Sequence, residues 1–485
     1  MRLFKVLAML CAVSVCLGTA AHAQTFTTLY SFCPEGGCAG GLAPNGALVQ
    51  ATNGDLYGNS PRGGTQSLGS VFKITTGGTL TTLYSFCAQT NCTDGWDPVY
   101  SLVLATNGNL YGFTESGGAN ATGTFFKIML NGTHTTLQSF CDEPGCVVGE
   151  YLNPLIQATN GDFYFTTELD GTANSGTVSK FTAGGTLTTP YSFVCSESGC
   201  PNGKEPFAGL VQATDGSMFG TTEYGGNGNP GSGTIFKIMP GGTLKTLYSF
   251  CAQSGCPDGA DPTAALVQAT NGDLYGTTTY GGSGSPGSGT VFKVTTNGKL
   301  TTLYTFCTQT GCPDGTGSGY PLIQASDGNL YGTNTSGGAN GHGTIFKITP
   351  GGTLTTLYSF CALSGCADGE IPNAGLVQHT NGVLYGTTEY GGASGFGTVF
   401  SLSMDLPPFV EALPATGAVG ASVKILGTSL KGATAVAFDG TAAAFTVVSA
   451  SEITTTVPAG ATTGTVTVTT PSTTLSSNVA FTVKE

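Results

Sequence analysis

Charged residues are scarce in this chain, and bases are the scarcest of them. Charged residues make up 9% of the 485 positions, with 15 Lys and Arg against 28 Asp and Glu. The only arginine beyond the first 23 residues is Arg62. Nucleic acids and anionic membrane surfaces are bound through clusters of Lys and Arg. The composition therefore excludes both as expected partners.

Helix-forming patterns and long apolar runs are also missing. Glycine occupies 77 of the 485 positions, and no stretch repeats apolar residues at helical spacing. Glycine disfavours helix more than any residue except proline, so a helical protein is excluded. No apolar run after residue 23 is long enough to cross a bilayer as a helix, and no transmembrane segment is predicted.

Catalytic motifs are absent as well. After residue 23 the only histidines are His134, His342 and His379, which lie far apart in the sequence. The chain has no H-E-x-x-H, G-x-S-x-G or C-x-x-C-H motif, which would indicate a metalloprotease, an α/β-hydrolase or a c-type haem protein. No catalytic residue and no cofactor is predicted.

The first 23 residues have the pattern of a secretory signal peptide. Arg2 and Lys5 precede an apolar run at 6–18, and a small-x-small cleavage sequence, A-H-A, stands at 21–23. Such a segment is removed on export. We therefore predict an exported protein that is extracellular, at the cell surface or periplasmic.

One repeated unit dominates the rest of the chain. An L-V-Q-A-T-like motif recurs seven times, every 53 to 56 residues. Its copies start at Leu48, Leu102, Leu155, Leu210, Leu266, Leu322 and Leu376. A fixed period of this length indicates a repeat architecture.

Each repeat contains four strand-like runs. In one repeat they are Leu266–Thr270, Asp273–Thr278, Gly289–Thr295 and Lys299–Phe306. The first two are joined by an Asn-Gly turn, which is a strong hairpin signal. Four antiparallel strands in a repeat of this length predict a propeller blade.

The two ends of the repeat region complement each other. The last repeat lacks its fourth strand, and Thr25–Phe32, which precedes the first repeat, has the sequence of that strand. Its pairing with Gly397–Ser403 would remove two unpaired sheet edges. The predicted fold class is therefore all-β: a seven-bladed propeller at 24–404 closed by its N-terminal strand, a linker at 405–408, and an immunoglobulin-like sandwich at 409–485.

Cysteine is regularly spaced. Fourteen of the 16 cysteines follow residue 23 and form seven C-x4-C pairs. The pairs are Cys33 with Cys38, Cys87 with Cys92, Cys141 with Cys146, Cys195 with Cys200, Cys251 with Cys256, Cys307 with Cys312, and Cys361 with Cys366. In an exported protein such a set indicates local disulfides. A zinc site needs a second Cys or His pair within reach, and since none recurs with the repeat, no metal site is predicted.

The functional face is predicted to be the one that carries the disulfide loops. The long loops of each repeat emerge at one end of a four-stranded blade, whereas the other end carries tight turns. An acidic residue, often followed by tyrosine, recurs at the exit of the second strand. The candidate ligand-binding residues are Glu115, Glu168, Glu223, Glu389, Tyr224, Tyr280, Tyr390 and the single tryptophan, Trp96, which falls in a predicted loop. Carboxylates accept hydrogen bonds from sugar hydroxyls, and aromatic rings offer stacking faces. The alternative is that these residues are copies without a ligand, exposed to solvent or bonded to loop amides.

A second acidic series follows the second cysteine of several loops. Its members are Asp94, Asp97, Asp258, Asp261, Asp314, Asp368 and Glu370. Oxygen-rich loops can bind calcium, but Asp-Gly is also an ordinary turn. The turn is the favoured interpretation, and calcium binding is the alternative.

These motifs resemble two known families. The units L-Y-G-T-T, Y-G-G, G-T-V-F-K and G-G-T-L-T-T-L-Y-S-F, over about Thr25–Leu402, resemble the GloVer tandem repeat of secreted choice-of-anchor bacterial proteins. That resemblance implies export and a propeller-like fold, and no known activity. The tail is similar to an IPT/TIG domain, through V-K-I-L-G-T at 423–428, V-A-F-D-G at 436–440 and I-T-T-T-V-P at 453–458. This similarity implies an interaction or spacer module.

The sequence thus predicts a secreted, non-catalytic binding or adhesion scaffold. It would recognise a glycan or an extracellular protein through the long-loop face, because a ring of similar positions suits multivalent weak contacts. Two alternatives stay open. One is a polysaccharide-acting propeller enzyme, a hydrolase or lyase with Glu223 or Glu389 as general acid. The other is a purely structural envelope protein.

Overall fold

The computed structural model describes residues 24–34, 38–140, 152–169, 171–196, 199–227, 231–283 and 288–484. The predicted signal peptide at 1–23 lies outside these residues. So does the predicted disulfide between Cys141 and Cys146, which stays a prediction. Within the described residues the regular secondary structure consists of β-strands, apart from two short 3-10 helices at Thr90–Cys92 and Ser364–Cys366. No helix of the described part is long and apolar enough to span a membrane.

The repeat region contains strands β1 to β28. In chain order they are β1 (Thr25–Ser31), β2 (Val49–Gln50), β3 (Leu56–Ser60), β4 (Ser70–Ile74), β5 (Leu80–Ser85), β6 (Trp96–Leu104), β7 (Leu110–Ser116), β8 (Thr124–Ile128), β9 (His134–Ser139), β10 (Ile156–Gln157), β11 (Phe163–Thr167), β12 (Thr177–Phe181), β13 (Leu187–Ser192), β14 (Val211–Gln212), β15 (Met218–Thr222), β16 (Thr234–Ile238), β17 (Leu244–Ser249), β18 (Val267–Gln268), β19 (Leu274–Thr278), β20 (Thr290–Val294), β21 (Leu300–Thr305), β22 (Ile323–Gln324), β23 (Leu330–Asn334), β24 (Thr344–Ile348), β25 (Leu354–Ser359), β26 (Val377–Gln378), β27 (Leu384–Thr388) and β28 (Thr398–Ser403).

The tail contains strands β29 to β38. They are β29 (Glu411–Leu413), β30 (Thr416–Ala418), β31 (Ser422–Leu426), β32 (Ala435–Phe438), β33 (Thr441–Ala443), β34 (Phe445–Val447), β35 (Glu452–Thr456), β36 (Val466–Thr469), β37 (Thr474–Ser476) and β38 (Thr482–Lys484).

Each repeat folds into one four-stranded antiparallel sheet. In the described residues these sheets are β2 to β5, β6 to β9, β10 to β13, β14 to β17, β18 to β21, β22 to β25, and the set β26, β27, β28 and β1. The Asn-Gly turns act as predicted: the Asn271 side chain accepts a hydrogen bond from the amide of Asp273 at 3.0 Å, and Gly272 has a φ of 85°, which suits glycine. The predicted all-β repeat architecture is confirmed.

The N-terminal strand completes the last sheet. Strand β1 pairs antiparallel with β28 from Thr25 opposite Ser403 to Ser31 opposite Thr398. The amide of Phe32 then donates to the carbonyl of Gly397 at 3.0 Å. The first and last parts of the repeat region are therefore joined by an antiparallel backbone ladder between the two segments that the sequence predicts to pair.

The hydrophobic core lies between neighbouring sheets. Each of seven apolar clusters joins two consecutive sheets, and one of them joins Tyr385 and Val399 of the last sheet to Leu56 and Phe72 of the first. The contact between the last and the first sheet makes the arrangement a ring. The predicted count of seven blades stays a prediction.

A belt of glutamine side chains links the sheets on the tight-turn face. The Gln that ends an innermost strand accepts a hydrogen bond from a turn amide of the preceding repeat at 2.8 to 3.0 Å. The pairs are Thr106–Gln157, Thr159–Gln212, Thr214–Gln268, Thr270–Gln324, Ser326–Gln378 and Thr380–Gln50. The last pair again joins the end of the ring to its start. Strand β6 ends in Leu104 instead, which cannot make this bond.

The tail is a two-sheet sandwich with its own core. Its sheets have the orders β29-β31-β35-β34 and β33-β32-β36-β37, with Ile425, Phe438 and Val468 buried between them. It contacts the tight-turn face of the ring. Ser451 donates to the carbonyl of Thr52 at 2.8 Å, and the amide of Phe409 donates to the carbonyl of Thr380 at 3.0 Å. The long-loop face lies on the opposite side of the sheets and is left open.

Candidate functional site

A cavity of about 350 Å³ lies at the centre of the ring. Residues from all seven repeats line it, and they come from the segment that precedes each innermost strand, except in the second repeat, where Val99 to Ser101 lie within strand β6. They are Asn45, Ala47, Val99, Tyr100, Ser101, Pro154, Phe207, Ala208, Gly209, Thr263, Ala265, Gly319, Tyr320, Pro321, Asn373, Ala374 and Gly375, with Glu115 at the end of β7. Because these segments follow the disulfide loops, the cavity belongs to the long-loop face.

The disulfide loops form the wall of this face. Six predicted pairs are bonded within their own loops: Cys33–Cys38, Cys87–Cys92, Cys195–Cys200, Cys251–Cys256, Cys307–Cys312 and Cys361–Cys366. The seventh predicted pair, Cys141 with Cys146, falls outside the described residues and is not tested. The second cysteine of each bonded pair also accepts a backbone bond from the Gly-Gly loop of the same face, as between Gly282 and Cys256 at 2.8 Å. Each of these disulfide loops is thus hydrogen-bonded to the Gly-Gly loop beside it on the same face.

An aspartate caps each of four disulfide loops, and it is buried in three of them. Asp368 accepts hydrogen bonds from the Tyr358 hydroxyl at 2.7 Å and from the amides of Ala362 and Leu363 at 2.9 and 3.1 Å. Asp94, Asp258 and Asp314 accept corresponding bonds in their own loops. These carboxylates serve the loop itself, which is the turn interpretation of the second acidic series.

Carboxylates from the second to the fifth repeat interact with one another, and one of them, Glu115, lines the cavity. We call them the acidic arc: Asp97, Glu115, Glu168, Glu205, Glu223 and Asp261. Burial and, after it, the charges of Glu223, Glu205 and Glu115 together raise the pKa of Glu168 to about 7. Burial and a neighbouring Glu likewise raise the pKa values of Asp97 and Asp261 to about 6. Half-buried carboxylates within reach of one another resist ionisation, so Glu168 ionises near neutral pH.

The other repeats carry fewer acidic residues at the corresponding position. At the positions that correspond to Glu223, the first, fifth and sixth repeats carry Pro61, Thr279 and Thr335. Thr279 bonds the Thr263 hydroxyl at 2.7 Å, and Glu389 accepts a bond from the Asn373 amide at 2.9 Å. The acidic residues are therefore unevenly distributed among the repeats.

Two tyrosines that sequence reasoning missed line the cavity. Tyr100 and Tyr320 occupy a position where four other repeats have Gly46, Ala208, Ala264 and Ala374. Burial and then the charge of Glu389 raise the pKa of Tyr320 to about 12. Burial and then the charge of Glu168 raise the pKa of Tyr100. When the repeats are aligned, these two large aromatic side chains stand at a position that is otherwise mostly Gly or Ala, and this contrast could have identified them from the sequence. They also make the cavity asymmetric.

Comparison with known families decides what kind of repeat this is. Residues 17–151, 87–284 and 232–441 match the Gloeobacter/Verrucomicrobia repeat. The chain belongs to this family. Residues 408–483 match the IPT/TIG domain. Both resemblances noted from the sequence are confirmed, whereas no curated protein matches the chain.

Solved structures similar to this Gloeobacter/Verrucomicrobia repeat protein are distant. The extracellular domain of a putative hybrid two-component system from Bacteroides thetaiotaomicron has 12% identity and a TM-score of 0.47, and the match covers 90% of this chain and 53% of that one. This protein thus spans about half of that chain's length. An auxiliary nutrient binding protein from Bacteroides ovatus has 15% identity and a TM-score of 0.37, with 62% of this chain and 68% of that one covered. At such TM-scores the likenesses carry no functional argument.

The remaining predicted site residues of the repeat protein lie away from the cavity. Tyr280 and Tyr390 are 50% and 43% exposed and do not line it. Tyr224 lies beside Lys204, whose ammonium is 5.5 Å from the ring centroid. Trp96 is not in a loop as predicted: it begins strand β6, is half-buried, and packs against the cluster between the first and second sheets. A tryptophan that packs into the core in this way is poorly placed to contact a ligand.

We expect the melting temperature to rise by about 1–2 °C when the pH is lowered from 8 to 6, since about 1 kcal/mol shifts the melting temperature of a chain of this size only slightly. The folded-state pKa of Glu168, about 7, lies above its unfolded value, so its ionisation costs stability as the pH rises through 7. Solvent screens this half-exposed group and reduces the effect. Glu168→Gln should raise the melting temperature at pH 8 and flatten the profile, while Glu452→Gln in the tail should change neither. A wild-type profile that falls from pH 8 to 6 would contradict the geometry of the arc.

Proposed function

We propose that this protein is an exported, non-catalytic binding scaffold that recognises a glycan or an extracellular protein at its axial cavity. The observation that carries the proposal is the cavity itself, about 350 Å³ in volume and lined by all seven repeats. Small-ligand sites have this size, and they combine apolar walls with a few polar groups. The disulfides fit an oxidising location outside the cytoplasm.

The chemistry of the lining supports a hydroxyl-rich ligand. Among the lining residues, Glu115 and Asn373 offer acceptors and donors, and Tyr100, Tyr320 and Phe207 offer ring faces. Sugar hydroxyls match the first set, and the apolar face of a sugar ring stacks on the second. A partner protein would instead insert one side chain or loop into the same place.

The enzyme alternative now has one observation in its favour. Glu168 has a pKa of about 7 beside several other carboxylates, and a carboxyl group that is protonated at neutral pH is what a glycosidase uses as general acid. This moves the candidate general acid from Glu223 or Glu389 to Glu168. Structural ion clusters perturb pKa values as well, so the binding scaffold stays the main proposal.

A glycan array probed with the purified protein, with and without calcium, tests the proposal. We expect binding to a restricted set of glycans, weakened by Glu115→Gln and unaffected by Glu452→Gln in the tail. Each hit is then incubated with the protein and examined for cleavage. Turnover that Glu168→Gln abolishes would replace the scaffold with the enzyme. An array without hits, together with self-assembly in light scattering, would favour a structural envelope protein.

A further inference from the structure

One disulfide loop differs from the others in what surrounds it. His342, at the end of the preceding Gly-rich loop, and Glu370, four residues after Cys366, converge on the Cys361–Cys366 pair. The Nδ1 atom of His342 lies 2.6 Å from Oε2 of Glu370. One ligand atom from each of the four residues lies within 4.8 Å of the other three. No other group of this kind occurs in the described part of the chain.

The backbone holds the two sides of this cluster together. The amide of Ile371 donates to the carbonyl of His342 at 3.0 Å, and the amide of Cys361 donates to the carbonyl of Gly369 at 3.1 Å. The same contacts recur in other repeats, as between Asp261 and Ser232. The backbone arrangement is therefore shared by several repeats, whereas the side chains of His342 and Glu370 distinguish this one. The residues that correspond to His342 in the other repeats are Leu68, Thr122, Ser175, Ser232, Ser288 and Phe396.

We propose that His342, Cys361, Cys366 and Glu370 form a redox-gated zinc site: reduction of the disulfide converts the loop into a four-ligand site for Zn²⁺. Two thiolates, an imidazole and a carboxylate are zinc ligands, and four of them complete its tetrahedral shell. Neither His342 nor Glu370 is deeply buried, with side chains 41% and 26% exposed, so the ion can enter from solvent. In the oxidised loop only two ligands remain, which is too few for a stable site.

The conversion between the disulfide and the zinc-bound form is a two-electron redox reaction. A dithiol reductant breaks the Cys361–Cys366 bond, becomes a disulfide itself, and leaves two protein thiols. Zn²⁺ then takes the two sulfurs as thiolates, and one proton from each thiol passes to solvent. In the reverse direction a disulfide oxidant accepts two electrons from the pair, is reduced to two thiols that take up two protons, and the re-formed Cys361–Cys366 bond releases the ion. This site is separate from the axial cavity, so its failure would leave the proposed binding function untouched.

Metal titration of the reduced protein tests the site. The protein is reduced anaerobically with a phosphine, and Co²⁺ and Zn²⁺ are titrated with optical detection of sulfur-to-cobalt charge transfer. We expect one tight site per chain after reduction and none in the oxidised protein. His342→Ala and Glu370→Gln should each weaken it by at least about tenfold, since even outer-shell changes cost metal sites 10- to 100-fold. Glu389→Gln serves as a control that should leave the titration unchanged.

A gain-of-site variant keeps the test decisive even if a ligand variant folds poorly. Phe396 and Leu42 flank Cys33–Cys38 as His342 and Glu370 flank Cys361–Cys366, and the amide of Ala43 donates to the carbonyl of Phe396 at 2.9 Å. Phe396→His with Leu42→Glu should therefore raise the number of sites from one to two. Equal binding by wild type and His342→Ala, metal bound in proportion to the cysteine pairs, or no binding after reduction would each overturn the proposal.

Discussion

Replacement of Phe32 by alanine is expected to destabilise the ring by about 3–5 kcal/mol, the usual cost of removing a buried phenylalanine. Phe32 follows the closing strand and is fully buried. Its ring packs against Phe72 of the first sheet at a centroid distance of 5.4 Å. The side chain therefore joins the last sheet to the first, and its loss weakens the contact that closes the ring.

The sequence supplies a matched control for this variant. Phe306 is the corresponding residue between two interior sheets; it is also fully buried and packs against Phe346 at 5.3 Å. We expect Phe306→Ala and Phe32→Ala to lower the free energy of unfolding by similar amounts in denaturant titrations. A large effect of Phe306→Ala with little effect of Phe32→Ala would mean that the N-terminal strand does not close a seven-bladed ring.

Replacement of Asp368 by alanine is expected to cost at least about 4.5 kcal/mol, since three hydrogen bonds to a charged group are lost. The carboxylate is fully buried and accepts three hydrogen bonds, from the Tyr358 hydroxyl and from the amides of Ala362 and Leu363. Bonds to a charged group contribute about 1.5–3 kcal/mol each, and a buried donor left without a partner adds a penalty. Alanine removes all three acceptors at once, so the disulfide loop should loosen as well.

Tyr358→Phe is the matched partial change, because it removes only one of the three bonds. We expect it to cost about 1–2 kcal/mol, measured by denaturant titration beside Asp368→Ala. Since the carboxylate oxygens are taken up by the loop, a calcium chelator should leave the melting temperature of the wild type unchanged. A chelator-dependent decrease that Asp368→Ala abolishes would support the calcium interpretation instead.

The repeat pattern predicted most of the architecture because each strand is specified within a few residues. The predicted runs Asp273–Thr278 and Lys299–Phe306 agree with β19 and β21 to within one residue at each end. The innermost strand was predicted too long. Leu266–Thr270 contains only the two-residue strand β18, because Ala269 and Thr270 already form the turn and Leu266 packs into the core between sheets.

The parts that sequence reasoning missed depend on contacts between repeats. Each Gln of the belt accepts a hydrogen bond from a backbone amide about one repeat away. The L-V-Q-A-T motif that contains the Gln does not predict this partner. His342 and Glu370 belong to different repeats and meet only because the sheets pack side by side. Tyr100 and Tyr320 do not recur in the other repeats, so the repeated motif gives no indication of them. The shape of the cavity nevertheless depends on such non-recurring residues.

The most direct test of the central claim compares two tyrosines on the same face. The claim is that a ligand binds in the axial cavity, which Tyr320 lines and Tyr280 does not. The measurement is the dissociation constant of a glycan from the array, by calorimetry, for the wild type, Tyr320→Ala and Tyr280→Ala. We predict that Tyr320→Ala weakens binding about tenfold or more, as central buried aromatic anchors do, and that Tyr280→Ala stays within about twofold of the wild type, as expected for a contact outside the site. Loss of binding in Tyr280→Ala with full binding in Tyr320→Ala would contradict the claim and place the site on the outer loops.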